Sequence, residues 1–138
     1  MNRFRRLDEK VLVAGQIDSN DIAAAAEQGV TTIINNRPDS EEMGQPAGDL
    51  IQAATEAAGL NYFHIPVSGG LSAAQADQAA GAIEGAPGQV LMFCRSGTRS
   101  TFLWAMARLG RGADASTLVE QAAGAGYDLS PLLSRLGR

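Results

Sequence analysis

The chain has 138 residues, 45 % of them apolar and 19 % charged, which suits one compact domain and excludes a disordered polymer. Its net charge of −4 argues against a nucleic-acid-binding surface, which would normally be basic. A single cysteine rules out an intrachain disulfide and a separate resolving thiol, so a reducing, cytoplasmic setting is the simplest expectation.

The first ten residues, MNRFRRLDEK, are charged and no apolar leader follows them. No segment approaches membrane-spanning length. Residues 10–14 (KVLVA) predict a first strand, closed by Gly15. Asp18 or Ser19 can cap a helix that runs through Gln28 and stops at Gly29. Residues 30–34 (VTTII) are all β-branched and predict a buried strand. Residues 35–48 are rich in Asn, Pro, Asp and Gly and predict a loop. Residues 49–58 place Leu50, Ile51, Ala54, Ala57 and Ala58 on one helical face, and Gly59 ends it. Residues 60–67 (LNYFHIPV) predict the next strand, broken by Ser68, Gly69 and Gly70. Ser72 and Gln75 match a capping box ahead of a stripe of Ala76, Ala79, Ala80 and Ile83. Residues 89–93 (QVLMF) predict a fourth strand. A helix is expected from about Ser100 to Leu109, another over 114–123, and a last one from Ser130 and Pro131 through Leu136.

Strands alternating with helices imply a three-layer α/β fold: a mainly parallel sheet of four to five strands with helices on both faces, in one domain over residues 1–138. Ligands bind such sheets at the carboxyl ends of strands. Two segments with suitable chemistry lie there, residues 35–39 (NNRPD) and residues 94–100 (CRSGTRS).

A lone Cys after an apolar strand is ordinarily a small core residue. The residues after Cys94 point elsewhere. A strand, then Arg95, Ser96, Gly97, Thr98, Arg99 and Ser100, then a helix leaves backbone N–H groups free at the helix start, where the dipole favours an anion. Gly97 lets the backbone curl, and Arg99 adds a planar fork for oxyanions. Such a ring favours the thiolate, the nucleophilic form of Cys94. Ser100 is expected to donate toward the sulfur. Arg95 is expected at the rim, where it could attract anions. His64, the one histidine, is expected to be structural, and no metal site is expected. Trp104 is assigned to the core, and Asp128 or Ser130 to a helix cap.

The loop resembles two families. Cysteine-dependent phosphatases carry His-Cys, five residues, then Arg and Ser or Thr; rhodanese-type sulfurtransferases can carry Cys-Arg-Ser-Gly-x-Arg-Ser. Four residues separate Cys94 from Arg99, the shorter spacing, and Phe93 stands where the phosphatase His would be. The wider pattern of VLVAGQI, TTIINNRPD, GLNYFHIPV, FCRSGTRS and AGYDLSPLLSRL resembles the beta-lactamase-hydrolase-like family, over roughly residues 11–136. That resemblance implies a dual-specificity-phosphatase-like fold and a pocket wall from Asn36, Arg37 and Asp39, with Arg37 or Asn36 on the substrate and Asp39 as an orienter.

Two reactions suit a Cys94 nucleophile. In dual-specificity-like phosphatases the general acid lies on the loop after the strand preceding the cysteine strand. That loop here is Ser68-Gly69-Gly70, with no acid; Asp77 falls inside a helix, and Asp39 remains as a non-standard acid. Sulfur transfer needs no acid. The sequence reading therefore favours a sulfurtransferase that forms a persulfide on Cys94, with thiosulfate or a persulfide as donor and an external thiol or cyanide as acceptor. The alternatives are a phosphatase acting on phosphoesters and an anion-binding domain without turnover. None of these readings calls for a cofactor, a nucleic acid or a membrane.

Overall fold

The computed structural model describes residues 4–137; residues 1–3 and 138 of the expected domain lie outside them. Strands β1 (Arg5–Arg6), β2 (Val11–Ala14), β3 (Val30–Asn35), β4 (Asn61–His64) and β5 (Gln89–Phe93) form one sheet in the order β1-β2-β5-β3-β4. Only β1 is antiparallel to its neighbour. The helices are α1 (Ser19–Glu27), α2 (Gly48–Ala57), α3 (Ala73–Gly85), α4 (Thr98–Gly110), α5 (Ala115–Gly124) and α6 (Ser130–Arg135).

The strands alternate between two cores. Leu12, Ala14, Ile33, Leu91 and Phe93 face α1 and α2, where they meet Ile22, Ala25 and Ile51. Val11, Val13, Ile34, Val90 and Met92 face the other helices, where they meet Ile83, Leu103, Trp104, Leu118 and Leu132. Central strands covered on both faces need continuous apolar runs, which is why VLVA, VTTII and QVLMF read so clearly. A register shift between Val30 and Thr32 puts Val30 and Ile33 on the same face despite their odd spacing.

The chain moves outward through α1 and α2 on one face and returns through α3 on the other, as right-handed crossovers require. β5 therefore lies between β2 and β3, whose outgoing helices are on the opposite face from α4. The crevice this opens is at the carboxyl end of β5, where Cys94 sits.

Three expectations change. β1 is two exposed arginines and carries no apolar signal to predict it. β4 stops at His64 because Pro66 has no N–H; the chain still follows β3, with Ile65 N–H donating to Asn35 O at 2.9 Å and Val67 N–H to Asn36 O at 2.9 Å. α4 begins at Thr98, two residues before the expected start, because Gly97 takes a left-handed φ of 94° as its N-cap.

Candidate active site

Cys94 is fully buried at the end of β5. Its Sγ accepts the Gly97 N–H at 3.1 Å, so the loop curls back over the thiol. α4 then opens with N–H groups that no preceding turn can satisfy, those of Thr98, Arg99 and Ser100. Two glycines allow this path. A Cβ on Gly15 would lie 2.8 Å from Arg95 O. A Cβ on Gly97 would lie 2.2 Å from Tyr127 Oη, which itself donates to Ser96 O at 3.0 Å. Gly97→Ala is therefore expected to destabilise the fold by at least about 1–3 kcal/mol from backbone strain, before Tyr127 has to move. Urea unfolding of the variant measures it; an unchanged midpoint contradicts the packing described.

Arg99 is held from two sides. Its Nη1 donates to Val67 O at 2.9 Å and to Glu41 Oε2 at 2.6 Å, and its Nη2 donates to Glu41 Oε1 at 2.9 Å. The Arg99 bonds hold the Glu41 carboxyl at about 2, against slight burial that pushes it up and with help from Arg37. Its lowered value means that this pair supports the fold fully above the ordinary 4.5 and fades as pH falls toward 2. Glu41 in turn pushes the Arg99 guanidinium upward, and the Cys94 sulfur adds to that push.

The other residues singled out by the sequence are placed as follows. Ser100 does not reach the sulfur. Because α4 starts early, Ser100 faces β3 and its Oγ donates to Asn36 Oδ1 at 2.8 Å. Asn36 is also buried, its Nδ2 donating to Ile65 O at 2.9 Å, so it ties strand ends together and does not face a ligand. Arg37 is only 2 % exposed and lies beneath Glu41 and Glu42, at 3.0 and 2.9 Å, with Gln16 Oε1 on its Nη1 at 3.0 Å. It supports the carboxylates and, though nearly buried, lines the cavity they share with Arg99. Asp39 accepts the Gly48 N–H at 2.7 Å and so serves the start of α2; it does not supply an acid to the pocket. Arg95 is exposed at the rim, 3.4 Å from Glu42. Ser96 Oγ and Thr98 Oγ1 bond each other at 3.2 Å on the exposed side of the loop. His64 Nε2 lies 3.0 Å from Arg37 O, a structural bond. Asp77 lies on α3 and pairs with Arg111 at 3.0 Å.

Sequence reasoning missed Glu41, Glu42 and Gln16. The signal was the pair of adjacent carboxylates four and five residues after Arg37, in a loop at a strand's carboxyl end. Ser40, with φ 63°, is the one non-glycine left-handed residue among those described, and it turns the chain so that both carboxylates face the arginines. Arg37, Glu41, Glu42, Arg95 and Arg99 line one cavity of about 220 Å³. A second, of about 190 Å³, adjoins Arg99 and is walled by Val67, Leu71, Phe102 and Arg135. Among the described residues no group of three His, Cys, Asp or Glu is placed to hold a metal ion.

A parallel sheet, a buried Cys at the end of its central strand, and a donor loop leading to an Arg on the next helix define a phosphatase-like fold of the cysteine-loop type. The chain belongs to the family described as beta-lactamase hydrolase-like protein, phosphatase-like domain, which matches residues 3–111. A beta-lactamase hydrolase-like protein of Xylella fastidiosa is 38 % identical over 139 residues, covering 99 % of this chain and 32 % of that protein. One from Agrobacterium fabrum is 39 % identical over 103 residues, covering 73 % and 24 %. The chain thus spans about a third or less of the length of these curated relatives. A crystal structure of a candidate phosphatase from Neisseria meningitidis superposes with a TM-score of 0.85 at 33 % identity, covering 99 % of this chain and 97 % of that one. P. aeruginosa TpbA, solved in complex with phosphotyrosine, has a TM-score of 0.66 at 18 % identity, covering 91 % and 75 %; that likeness is one of fold. These findings back the phosphatase-like reading better than sulfur transfer, which had ranked first. No helix among the described residues is long and apolar enough to cross a membrane.

Proposed function

We propose that the chain is a cysteine-dependent phosphatase acting on phosphate monoesters, with Cys94 as nucleophile. The observation that carries this reading is the pairing of the buried thiol with the two-pronged Arg99 at the start of α4, on a fold shared over nearly its whole length with a candidate phosphatase. The Gly97 N–H donates to the sulfur, and Arg99 lies close enough to interact with it. The free N–H groups of α4 and the Arg99 fork bind the phosphoryl oxygens and oppose the charge that grows on them during transfer. Cys94 attacks phosphorus, the ester oxygen leaves, and water then releases phosphate from phosphocysteine. The cavity beside Arg99, where Val67, Leu71 and Phe102 stand with Arg135, accommodates the organic part of the ester. Residues 4–137 act as one unit in this scheme.

Two expected outcomes separate this reading from its rivals. The protein releases phosphate from p-nitrophenyl phosphate, and acid quench traps phosphate on Cys94, visible by mass. Cys94→Ser abolishes both. A protein that gains one sulfur atom from thiosulfate and releases no phosphate is a sulfurtransferase instead. One that binds phosphate and turns over neither compound, in the wild type as in Cys94→Ser, is an anion-binding domain.

A further inference from the structure

A phosphoryl transfer from an ordinary alcohol or phenol needs a proton for the leaving oxygen. The loop expected to supply it, Ser68-Gly69-Gly70, holds no titratable group, and the carbonyl just before it, Val67 O, is bonded to Arg99. Nearby carboxylates are mostly engaged elsewhere. Asp39 serves α2, Asp77 pairs with Arg111, and Glu42 bridges Arg37 and Arg95. Glu41 alone reaches Arg99, and it does so with both oxygens.

The Glu41 carboxylate thus occupies one N–H on each terminal nitrogen of Arg99, the pair with which the fork would grip a phosphoryl group in the proposed reaction. An arriving phosphate ester has to displace it. The backbone that carries the displaced side chain is held near the site. Ser40 is fixed in its left-handed turn, the Glu41 N–H is held by Gln45 Oε1 at 3.0 Å, and Gln45 Nε2 is held by Pro38 O at 2.9 Å. The carboxyl group is left beside the group that replaced it. Its charge surroundings reverse in the same event. It loses the Arg99 bonds that favoured its ionised form and gains a phosphoryl dianion as neighbour. The charged groups that still stand near it are Arg37, shared with Glu42 and Gln16, and the exposed Arg95, which lines the same cavity; His64 reaches this cluster only through Arg37 O.

We propose that Glu41 is the general acid and base of the reaction: it holds Arg99 while the site is empty, is displaced by the substrate, and then protonates the leaving oxygen. The step balances with one proton taken up from solvent as the Glu41 carboxylate leaves Arg99 and returned to solvent when the pair re-forms. The S–P bond forms from the Cys94 thiolate, the P–O bond to the leaving group breaks, and its electron pair takes the Glu41 proton. In the second half Glu41 carboxylate removes a proton from the attacking water, the P–O bond to that water forms, and the S–P bond breaks to restore the thiolate.

The inference rests on the phosphatase reading, and its test keeps the two apart. Wild type, Glu41→Gln and Glu41→Asp are assayed with p-nitrophenyl phosphate, a good leaving group, and phenyl phosphate, a poor one, across pH. General acid–base catalysis typically contributes about 10²–10⁴-fold. Glu41→Gln should lose that much on phenyl phosphate and much less in the formation of phosphocysteine from p-nitrophenyl phosphate. Its alkaline limb for phenyl phosphate should flatten, and Glu41→Asp should restore part of the rate. Inorganic phosphate should bind Glu41→Gln at least as tightly as wild type, since the competing charge is gone. An equal loss on both substrates makes Glu41 a support for Arg99 and overturns the proposal. An equal or raised rate on both makes it a plug and overturns it as well. If wild type releases no phosphate from either ester, the phosphatase reading falls and this inference with it.

Discussion

Arg99→Lys lowers kcat/KM for p-nitrophenyl phosphate by about 10³-fold or more, on the proposed reaction. Arginines that stabilise transferring phosphoryl groups contribute about 10³–10⁵-fold. Lysine keeps the charge and the approximate reach, so a role in simple attraction would survive the change. What it loses is geometry. Arg99 holds Val67 O with Nη1 while presenting Nη1 and Nη2 together to two oxygens of Glu41. That arrangement anchors the plane of the guanidinium, and the proposed reaction uses that fixed plane for the phosphoryl oxygens. An ammonium group is a point charge with no fixed fork and cannot satisfy the carbonyl and two coplanar oxygens at once.

The measurement is kcat/KM together with the inhibition constant for orthovanadate, which takes up the five-coordinate geometry of transfer. Arg99→Lys should weaken vanadate far more than inorganic phosphate, because the fork matters most where charge spreads over the equatorial oxygens. A rate within a few-fold of wild type removes Arg99 from the chemistry and leaves it a structural tie between α4 and Val67.

Most of the scaffold was legible because its parts obey local rules. Each central strand is a run of apolar and β-branched residues ended by Gly or a polar loop, and α1 and α3 open on capping boxes at Asp18 and Ser72. The Cys94 loop was equally legible, since Gly97 and the donors around it are contiguous in sequence. Glu41 was not. A carboxylate in a polar loop reads as solvated, and its partner Arg99 is 58 residues away. Only the left-handed Ser40 and the course of β3 beside β5 bring them together.

The same distance dependence explains the errors of role. The family resemblance implied that Asn36, Arg37 and Asp39 face a ligand. Arg37 does line the cavity beside Arg99, but the three side chains are taken up by Ser100, the two glutamates and the start of α2. Ser100 was expected at the sulfur, but a helix start two residues earlier rotates it inward by roughly half a turn. The ranking of sulfur over phosphorus rested on the short Cys94–Arg99 spacing and on the missing acid after β4, with Asp39 as the alternative acid. Asp39 is taken up by the start of α2, and the proposed acid, Glu41, comes from the same loop and reaches Arg99.

The largest effect on stability is expected at Trp104, the largest fully buried side chain. Trp104→Ala should cost about 3–5 kcal/mol, against a total of roughly 5–15 kcal/mol for a domain of this kind. Two mechanisms contribute. One is the cavity left among Leu103, Leu118 and their neighbours. The other is the loss of the indole N–H from Asp8 Oδ2, a 2.7 Å bond. Asp8 is also held by Arg108 Nη2 at 2.9 Å and by the N–H groups of Lys10 and Val11, both at 2.8 Å. Burial pushes the Asp8 carboxyl up, but the Trp104 bond, the backbone N–H groups and Arg108 outweigh it and hold the group below its ordinary 3.8. Its contribution is therefore complete above that value and is lost as pH falls through the lower, folded one. Trp104→Phe separates the mechanisms, since it keeps most of the volume and removes the donor. Chemical unfolding at neutral pH should show Trp104→Phe losing about 1–3 kcal/mol, less than Trp104→Ala. As pH is lowered past 4 toward 2, wild type should lose more stability than Trp104→Phe, because the folded Asp8 of the variant sits closer to its unfolded value. Parallel acid profiles for the two proteins would mean that Trp104 acts through its volume alone and that Arg108 and the backbone suffice to keep Asp8 charged.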